Sequence, residues 1–172
     1  MSSLQKFHRR TNPYAVAPIV GSGTSTKGYY LGFAGDGSSY MYVSPKSTEV
    51  TRIWGSSGTV RGTTSLNDGF GNTNTLYSFG SAAHPAAYYC KTLTLGGYNT
   101  WYLPAINEMV TMNNNKGATP FATANGFGNY DFCSSTESTA TAVKAWYPGG
   151  NSFFDNAKTG TYGVRAVRRS LI

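Results

Sequence analysis

Turn-forming residues interrupt the apolar segments of this chain after only a few positions. "YYLGF" and "YMYVS" flank "AGDGSS", and 21 glycines are spread over 172 residues. Gly, Asn, Ser and Thr favour turns over helices, so the chain favours short strands and loops over long helices. Aromatic residues form 15% of the sequence and provide enough apolar surface for a folded core. The length suits one domain.

Several segments predict strands. Asp36-Gly37 between two apolar segments is a strong hairpin signal, and "EVTRIWG" indicates another strand. The later segments "YDFCSST", "TAVKAWYPGG", "NSFFDNAKTG" and "TYGVRAVRR" predict an antiparallel meander. For residues 56–81 we expect a polar loop with at most one short helical turn.

Two segments predict short helices. In "HPAAYYCKTLTLGG", Pro85 suits the first turn and Gly96-Gly97 ends the helix. In "LPAINEMVTMNNN", Pro104 starts a second helix, whose apolar residues follow helical spacing. Both helices are one-sided and should pack on small antiparallel sheets, which makes the predicted fold class α+β.

Residues 1–28 contain basic residues but none of the chain's seven acids. Pro13 and Pro18 exclude a regular helix, and "GSGTSTKG" at 21–28 predicts a flexible joint. We therefore expect an extended basic anchoring arm over residues 1–28, followed by a domain over residues 29–172. The residues expected to carry the anchoring are Leu4, Lys6, Phe7, Arg9, Arg10 and Tyr14.

No apolar run is long enough for a secretion signal or a membrane span, so we expect a protein made in a cytoplasm. Cys90 and Cys133 could pair, but reduced thiols are the default without an export signal. "KFHRR" offers only weak, salt-sensitive contacts to nucleic acid, and a neighbouring protein suits the arm better.

The sequence contains no obvious catalytic or metal-binding pattern. The two histidines, His8 and His84, stand in no recognisable triad, and neither a calcium loop nor a Cys/His quartet is present. We expect no catalytic, metal or cofactor residues. Glu108 lies in an apolar helix and needs a partner, so we predict a structural ion pair between Glu108 and Arg165, with Trp101, Tyr102 and Leu103 in the core.

Four motifs occur in an order that resembles the C-terminal domain family of the bacterial collagen-like adhesin: "AAYYCKTLTLGGYNTWYLPAINEM", "YDFCSSTES", "VKAW" and "GVRAVRR". The resemblance covers about residues 28–169. It implies a C-type-lectin-like fold, found in surface adhesins and phage virion proteins and generally without enzymatic activity. Cys133 departs from the pattern, because the family usually has Trp at this position.

Three segments rich in uncharged Tyr, Asn, Ser and Gly have the composition of binding loops: residues 56–81, 113–129 and 147–160. An equally open interpretation is that they are ordinary soluble turns. The candidate recognition residues are Phe70, Asn72, Asn74, Tyr77, Asn114, Phe127, Tyr130, Tyr147, Asn151 and Phe153.

These observations together predict a non-enzymatic phage virion structural protein: an oligomeric capsid decoration, neck or tail fibre component. The arm would contact other virion proteins or copies of the chain, and the lectin-like domain would bind the host surface or its glycans. The main alternative is a bacterial cell-surface or secreted adhesin that binds glycans. An enzyme related to formylglycine-generating proteins would need a reactive thiol pair.

Overall fold

A computed structural model describes residues 16–171, except for the side chains of residues 124 and 125. The predicted anchoring residues Leu4, Lys6, Phe7, Arg9, Arg10 and Tyr14 lie outside the described residues. The described part has an α+β fold, as predicted. Its elements are β1 (Gly23–Thr24), β2 (Gly28–Phe33), β3 (Ser39–Val43), β4 (Val50–Ile53), α1 (Gly69–Tyr77), α2 (Pro85–Thr92), α3 (Ile106–Asn115), α4 (Phe121–Asn125), β5 (Phe132–Glu137), β6 (Ala142–Tyr147), β7 (Ser152–Ala157), β8 (Thr161–Val164) and β9 (Val167–Leu171).

The strands form two sheets. A four-stranded sheet has the order β1-β2-β3-β9, and a five-stranded sheet has the order β4-β8-β5-β6-β7. β5, β6 and β7 form the predicted antiparallel meander. The meander does not continue into "TYGVRAVRR", however: β8 lies between β4 and β5 and pairs with β5 in parallel, while β9 joins the other sheet. The five-stranded sheet is therefore mixed rather than antiparallel.

The hairpin predicted at Asp36-Gly37 is confirmed. β2 and β3 pair antiparallel, and the Asp36 carboxylate accepts hydrogen bonds from the backbone N–H groups of Ser38 and Ser39, at 2.9 and 3.0 Å. Gly37 has a φ of 67°, a conformation that glycine adopts without strain. Along β3, alternate residues are buried against the core.

Residues 21–28 differ from the flexible joint predicted for them. The N–H of Gly21 donates to the carbonyl of Tyr30 at 2.7 Å, and the N–H of Tyr30 donates to the carbonyl of Ser22 at 2.8 Å. β1 then pairs with β2. The glycines allow a tight hairpin here, since a Cβ on Gly23 would collide with the carbonyl oxygen of Gly28. The four-stranded sheet thus begins inside the segment predicted as an arm.

α2 begins at Pro85, as predicted, but ends at Thr92, because the backbone becomes extended at Leu93. Residues 95–98 form a separate small turn. α3 begins at Ile106, two residues after the predicted start. The reason is a cap: the Glu108 carboxylate accepts a hydrogen bond from the N–H of Ala105 at 2.8 Å.

The prediction of little regular structure in residues 56–81 is wrong, because α1 is a nine-residue helix. Asp68 caps it by accepting a hydrogen bond from the N–H of Gly71 at 3.0 Å. Gly69 lies so close to the start of α3 that a Cβ there would be 2.5 Å from the backbone nitrogen of Ala105. α4 was also missed, so the described residues form four α-helices instead of two.

The core lies between the sheets and the helices. α3 contacts β2 of one sheet and β5 and β6 of the other, while α1 and α2 pack on β5 and β4. Trp101, Tyr102 and Leu103 are fully buried, which confirms their predicted core role. Within residues 16–171, no helix is both long and apolar enough to cross a membrane.

Candidate recognition surface

Two of the three predicted recognition loops, residues 113–129 and 147–160, meet at one surface. The hydroxyl of Tyr147 donates to the side-chain oxygen of Asn129 at 2.8 Å. The ammonium of Lys116 donates to the side-chain oxygen of Asn151 and to the carbonyl of Pro148. These contacts fix the two loops against each other, so segments distant in sequence form one surface.

A depression of about 210 Å³ lies between these loops. Its lining combines an ammonium group, an amide, an aromatic ring and the backbone of a Pro-Gly turn. The residues are Lys116, Phe127, Gly128, Asn129, Pro148 and Gly149. We call this the loop depression. Its mixture of fixed polar groups and apolar surface is typical of a site for a polar ligand.

Lys116 is the central polar group of the loop depression. Besides Pro148 and Asn151, its ammonium donates to the side-chain oxygen of Asn113 at 3.0 Å. An ammonium has three donors, and all three acceptors here are neutral oxygens. Burial lowers the pKa of Lys116. The side chain therefore holds the loops together and brings a positive charge to the surface.

A cluster of aromatic rings includes Phe127, which lines the loop depression. Phe127 contacts the buried Trp146 edge to face at 4.8 Å between ring centroids, and Phe153 stacks on Trp146 at 6.3 Å. The indole N–H of Trp146 donates to Asn113 at 3.2 Å, so the same asparagine holds both Trp146 and Lys116. Phe153 is 38% exposed and does not line the loop depression.

The tip of the loop at residues 148–151 depends on a glycine without room for a Cβ and on an asparagine in a left-handed conformation. Gly149 leaves space for the hydrogen bond between Asn129 and Tyr147, since a Cβ on it would be 2.5 Å from the Asn129 side-chain oxygen. Asn151 has a φ of 52°, a left-handed conformation that asparagine tolerates better than most residues. The loop shape is therefore specified by its sequence.

Glu49 connects the edge of this surface to the core. Its carboxylate accepts hydrogen bonds from the N–H of Gly128 at 3.2 Å, from the guanidinium of Arg165 at 2.8 Å, and from the Tyr130 hydroxyl. Burial, together with the hydrogen bond to Glu49, raises the pKa of Tyr130 to about 12. Tyr130 therefore acts as a neutral donor that helps to position the loop at residues 126–130.

The predicted ion pair between Glu108 and Arg165 is wrong. Arg165 lies where the chain crosses from β8 to β9, which brings it to Glu49. Glu108 accepts instead from the Tyr102 hydroxyl at 2.8 Å and lies 3.4 Å from the guanidinium of Arg169. Burial raises the pKa of Glu108 in spite of these hydrogen bonds. Glu108 is therefore held by partners other than the predicted Arg165.

The remaining predicted recognition residues do not join the loop depression. Asn72 is buried and donates to the carbonyl of Ser65 at 2.8 Å, while Tyr77 stacks on Tyr88. Both lie on α1, as do Phe70 and Asn74. Asn114 is exposed near the end of α3.

Sequence reasoning missed Lys116 and Asn129. A signal was available for Lys116, because it is the one charged residue in "NNNKGATPFATANGFGN", the predicted loop 113–129. Nothing distinguished Asn129 from the neighbouring asparagines, since its role depends on where Tyr147 lies in space.

The three side chains with potentially reactive groups, Cys90, Cys133 and His84, are buried. Cys90 and Cys133 are free thiols, both fully buried, and burial raises the pKa of Cys133 to about 12. His84 is buried beside Trp54, whose carbonyl contacts its ring nitrogen at 3.2 Å, and burial lowers its pKa. Within residues 16–171, no group of three or more His, Cys, Asp or Glu side chains could hold a metal ion.

No known protein family model matches this chain, and no curated protein matches its sequence.

Proposed function

We propose that this chain is a non-enzymatic binding protein whose loop depression recognises a glycan. The observation that carries the proposal is the convergence of two polar loops into one depression, where amide, hydroxyl and ammonium groups lie beside aromatic rings. Sugars present hydroxyl groups for hydrogen bonding and C–H faces for contact with aromatic rings, so this combination suits them. The fixed loops also reduce the entropy lost on binding.

The buried thiols support a non-enzymatic role. Nucleophilic catalysis requires a thiolate that can reach its substrate, and a raised pKa keeps Cys133 protonated at neutral pH. His84, enclosed between Trp54 and Phe79, is equally unsuited to exchange protons with a bound substrate. This argues against an enzyme of the formylglycine-generating type, which would need its cysteines exposed.

We further propose that the body has the C-type-lectin-like fold and that the protein is part of a phage virion, as a capsid decoration, neck or tail fibre component. The ordered motifs between residues 28 and 169 support the fold. The acid-free, basic composition of residues 1–28 supports an anchoring role toward other virion proteins or copies of the chain. In this arrangement the N-terminal segment attaches the protein and the loop depression faces outward.

Glycan binding is tested with the full-length protein on an array of bacterial surface polysaccharides, followed by calorimetry with the strongest hits. We expect selective binding, weakened about tenfold or more by Asn129→Ala, because a fixed polar contact is lost. Asn74→Ala, on α1 and outside the lining of the loop depression, is the matched control and should bind normally. The proposal fails if no glycan binds, or if both variants behave alike.

The virion assignment is tested by immunogold labelling with an antibody against the chain. Phage particles purified from the producing bacterium and the bacterial envelope are labelled in parallel. We expect labelling of the particles at a fixed position. Labelling confined to the cell envelope would instead support the bacterial adhesin and would refute the virion assignment.

A further inference from the structure

Among residues 16–171, no carboxylate forms an ion pair with the ammonium of Lys116 in the loop depression. Lys46, Lys144 and Lys158, by contrast, each form an ion pair with an acidic side chain. The three hydrogen bonds of Lys116 all end on neutral amide and carbonyl oxygens. The surface therefore holds a positive charge that the described residues around it do not balance.

The position of Lys116 at the end of α3 does not cancel this charge. Lys116 follows the last residue of the helix. A helix C-terminus carries only about half a negative charge, spread over its last carbonyl groups. The ammonium donates instead to the side chain of Asn113 and to two oxygens of the loop at residues 147–160. The loop depression keeps a net positive charge at its polar centre.

The carboxylate of Glu49 reaches the edge of the loop depression through its hydrogen bond to the N–H of Gly128. Its charge is already balanced, because both Arg165 and Lys46 form ion pairs with it. With Lys116, three cations thus surround one carboxylate at this surface. The Glu49 cluster therefore adds positive charge to the site.

Electrostatic complementarity selects among ligands that fit the same surface, so these charges favour a negatively charged ligand. We propose that the loop depression binds a sugar residue that carries a carboxylate or a phosphate group. This inference rests on the proposed glycan recognition and names the class of glycan. The volume of about 210 Å³ is below the roughly 300–1,000 Å³ of sites for drug-sized ligands, so it suits one acidic sugar ring.

Asn151 marks the place where the anionic group would bind. Its side chain is exposed at the loop tip, and its amide oxygen occupies one of the three donors of Lys116. A carboxylate or phosphate oxygen can replace this amide oxygen, because an ammonium attracts a full negative charge more strongly than a neutral dipole. Asn113 and Pro148 then keep the ammonium in place. Phe127 provides an apolar wall for the C–H groups of the ring.

The test compares acidic glycans with their neutral counterparts on one array. Uronic acid polysaccharides are printed beside the same polymers after reduction of their carboxyl groups to alcohols. Polysaccharides with phosphate monoesters are printed beside their dephosphorylated forms. We expect the full-length protein to bind the acidic member of a pair about tenfold or more tightly than its neutral partner. This preference should shrink as the salt concentration rises.

Asn151→Asp tests the role of the Lys116 charge without removing the ammonium. Asp has nearly the shape of Asn and places a carboxylate on the ammonium, so the preference for acidic glycans should be lost. Lys116→Gln, which removes the charge itself, should give the same loss. Asn99→Asp is the matched control, because it makes the same charge change at an exposed residue outside the lining of the loop depression. It should keep the preference.

Replacing Lys6, Arg9 and Arg10 with Gln separates the loop depression from the basic residues near the start of the chain. This variant should also keep the preference. Equal binding of acidic and neutral members, loss of the preference in this variant, or an unchanged preference in Asn151→Asp would overturn the inference and leave glycan recognition intact. Absence of binding to every glycan on the array would refute both the inference and the proposed function.

Discussion

Replacing Lys158 with Met should strongly destabilise the fold, because it leaves a buried carboxylate without its cation. Lys158 and Glu137 are both almost fully buried and form an ion pair. The ammonium also donates to the carbonyl of Thr59 at 2.9 Å and lies 5.0 Å from the Trp54 ring centroid. Met keeps most of the side-chain volume, so the substitution removes mainly the charge and its hydrogen bonds.

The magnitude follows from what remains around Glu137. Removing one partner of a buried ion pair costs roughly 3–5 kcal/mol. The carboxylate keeps the backbone N–H donors of Arg61 and Gly62, at 2.8 and 2.9 Å, so we expect a loss at the low end, about 3 kcal/mol. For a chain of this size such a loss lowers Tm by about 6–12 °C.

The effect should depend on pH in a definite direction. Burial alone would raise the pKa of Glu137, but the hydrogen bonds from Lys158 and the two backbone groups outweigh it and lower that pKa. In the native protein this carboxylate stabilises the fold above its unfolded pKa, and the stabilisation is lost as pH falls through the lowered pKa. Without Lys158 the carboxyl should protonate at a higher pH, so the difference between the two proteins should shrink on acidification.

Urea unfolding followed by tryptophan fluorescence at several pH values provides the assay. Lys144→Met is the matched control, because the Lys144–Asp155 pair lies in the same sheet but is exposed, and it should cost less than about 1 kcal/mol. Equal losses for the two variants, or a loss at Lys158 that does not change with pH, would refute this reasoning.

Three further predictions follow from buried groups and close contacts. Burial lowers the pKa of His84, so the neutral imidazole is the form that the fold favours. The free energy of unfolding should therefore fall as pH drops from about 6.5 through the lowered pKa. In urea unfolding, His84→Gln should flatten this pH dependence. Gly69→Ala should lower the free energy of unfolding by about 1–3 kcal/mol, because the added methyl group pushes α1 away from α3. Gly117→Ala is the control, since Gly117 has open space around it, and it should be nearly neutral in thermal unfolding. Equal losses in the two variants would contradict the packing argument. Cys90 and Cys133 should resist a thiol reagent in the native protein and react in urea, and rapid native labelling would contradict their burial.

The parts of the fold that could be predicted from sequence are those with local signals. Pro85 marks the start of α2, and the Asp36-Gly37 turn specifies the hairpin of β2 and β3, because each residue acts on its own backbone. α1 carries no comparable apolar pattern in "GFGNTNTLY". Its stability depends on the close approach of Gly69 to the start of α3, a contact between distant segments that composition does not reveal.

The candidate site was predictable in composition but not in its connections. The loops containing Phe127 and Tyr147 could be selected by their uncharged polar and aromatic residues, although nothing local indicated that they meet. The sequence of "TYGVRAVRR" predicts a single strand, whereas the structure divides it between β8 and β9, and this division gives Arg165 a partner other than the predicted one. Its division between two sheets is decided by the available neighbours, here β4 and β3, and these come from the first third of the chain.

The position of β8 has a consequence for synthesis of the protein on the ribosome. β8 separates β4 from β5 in the five-stranded sheet, and β9 follows it into the other sheet. While residues 161–171 remain in the exit tunnel, β4 has no strand beside it and β3 has an open edge. The nascent chain therefore cannot complete either sheet until its last strands emerge, and chaperones that cover exposed strand edges should associate with it until that moment.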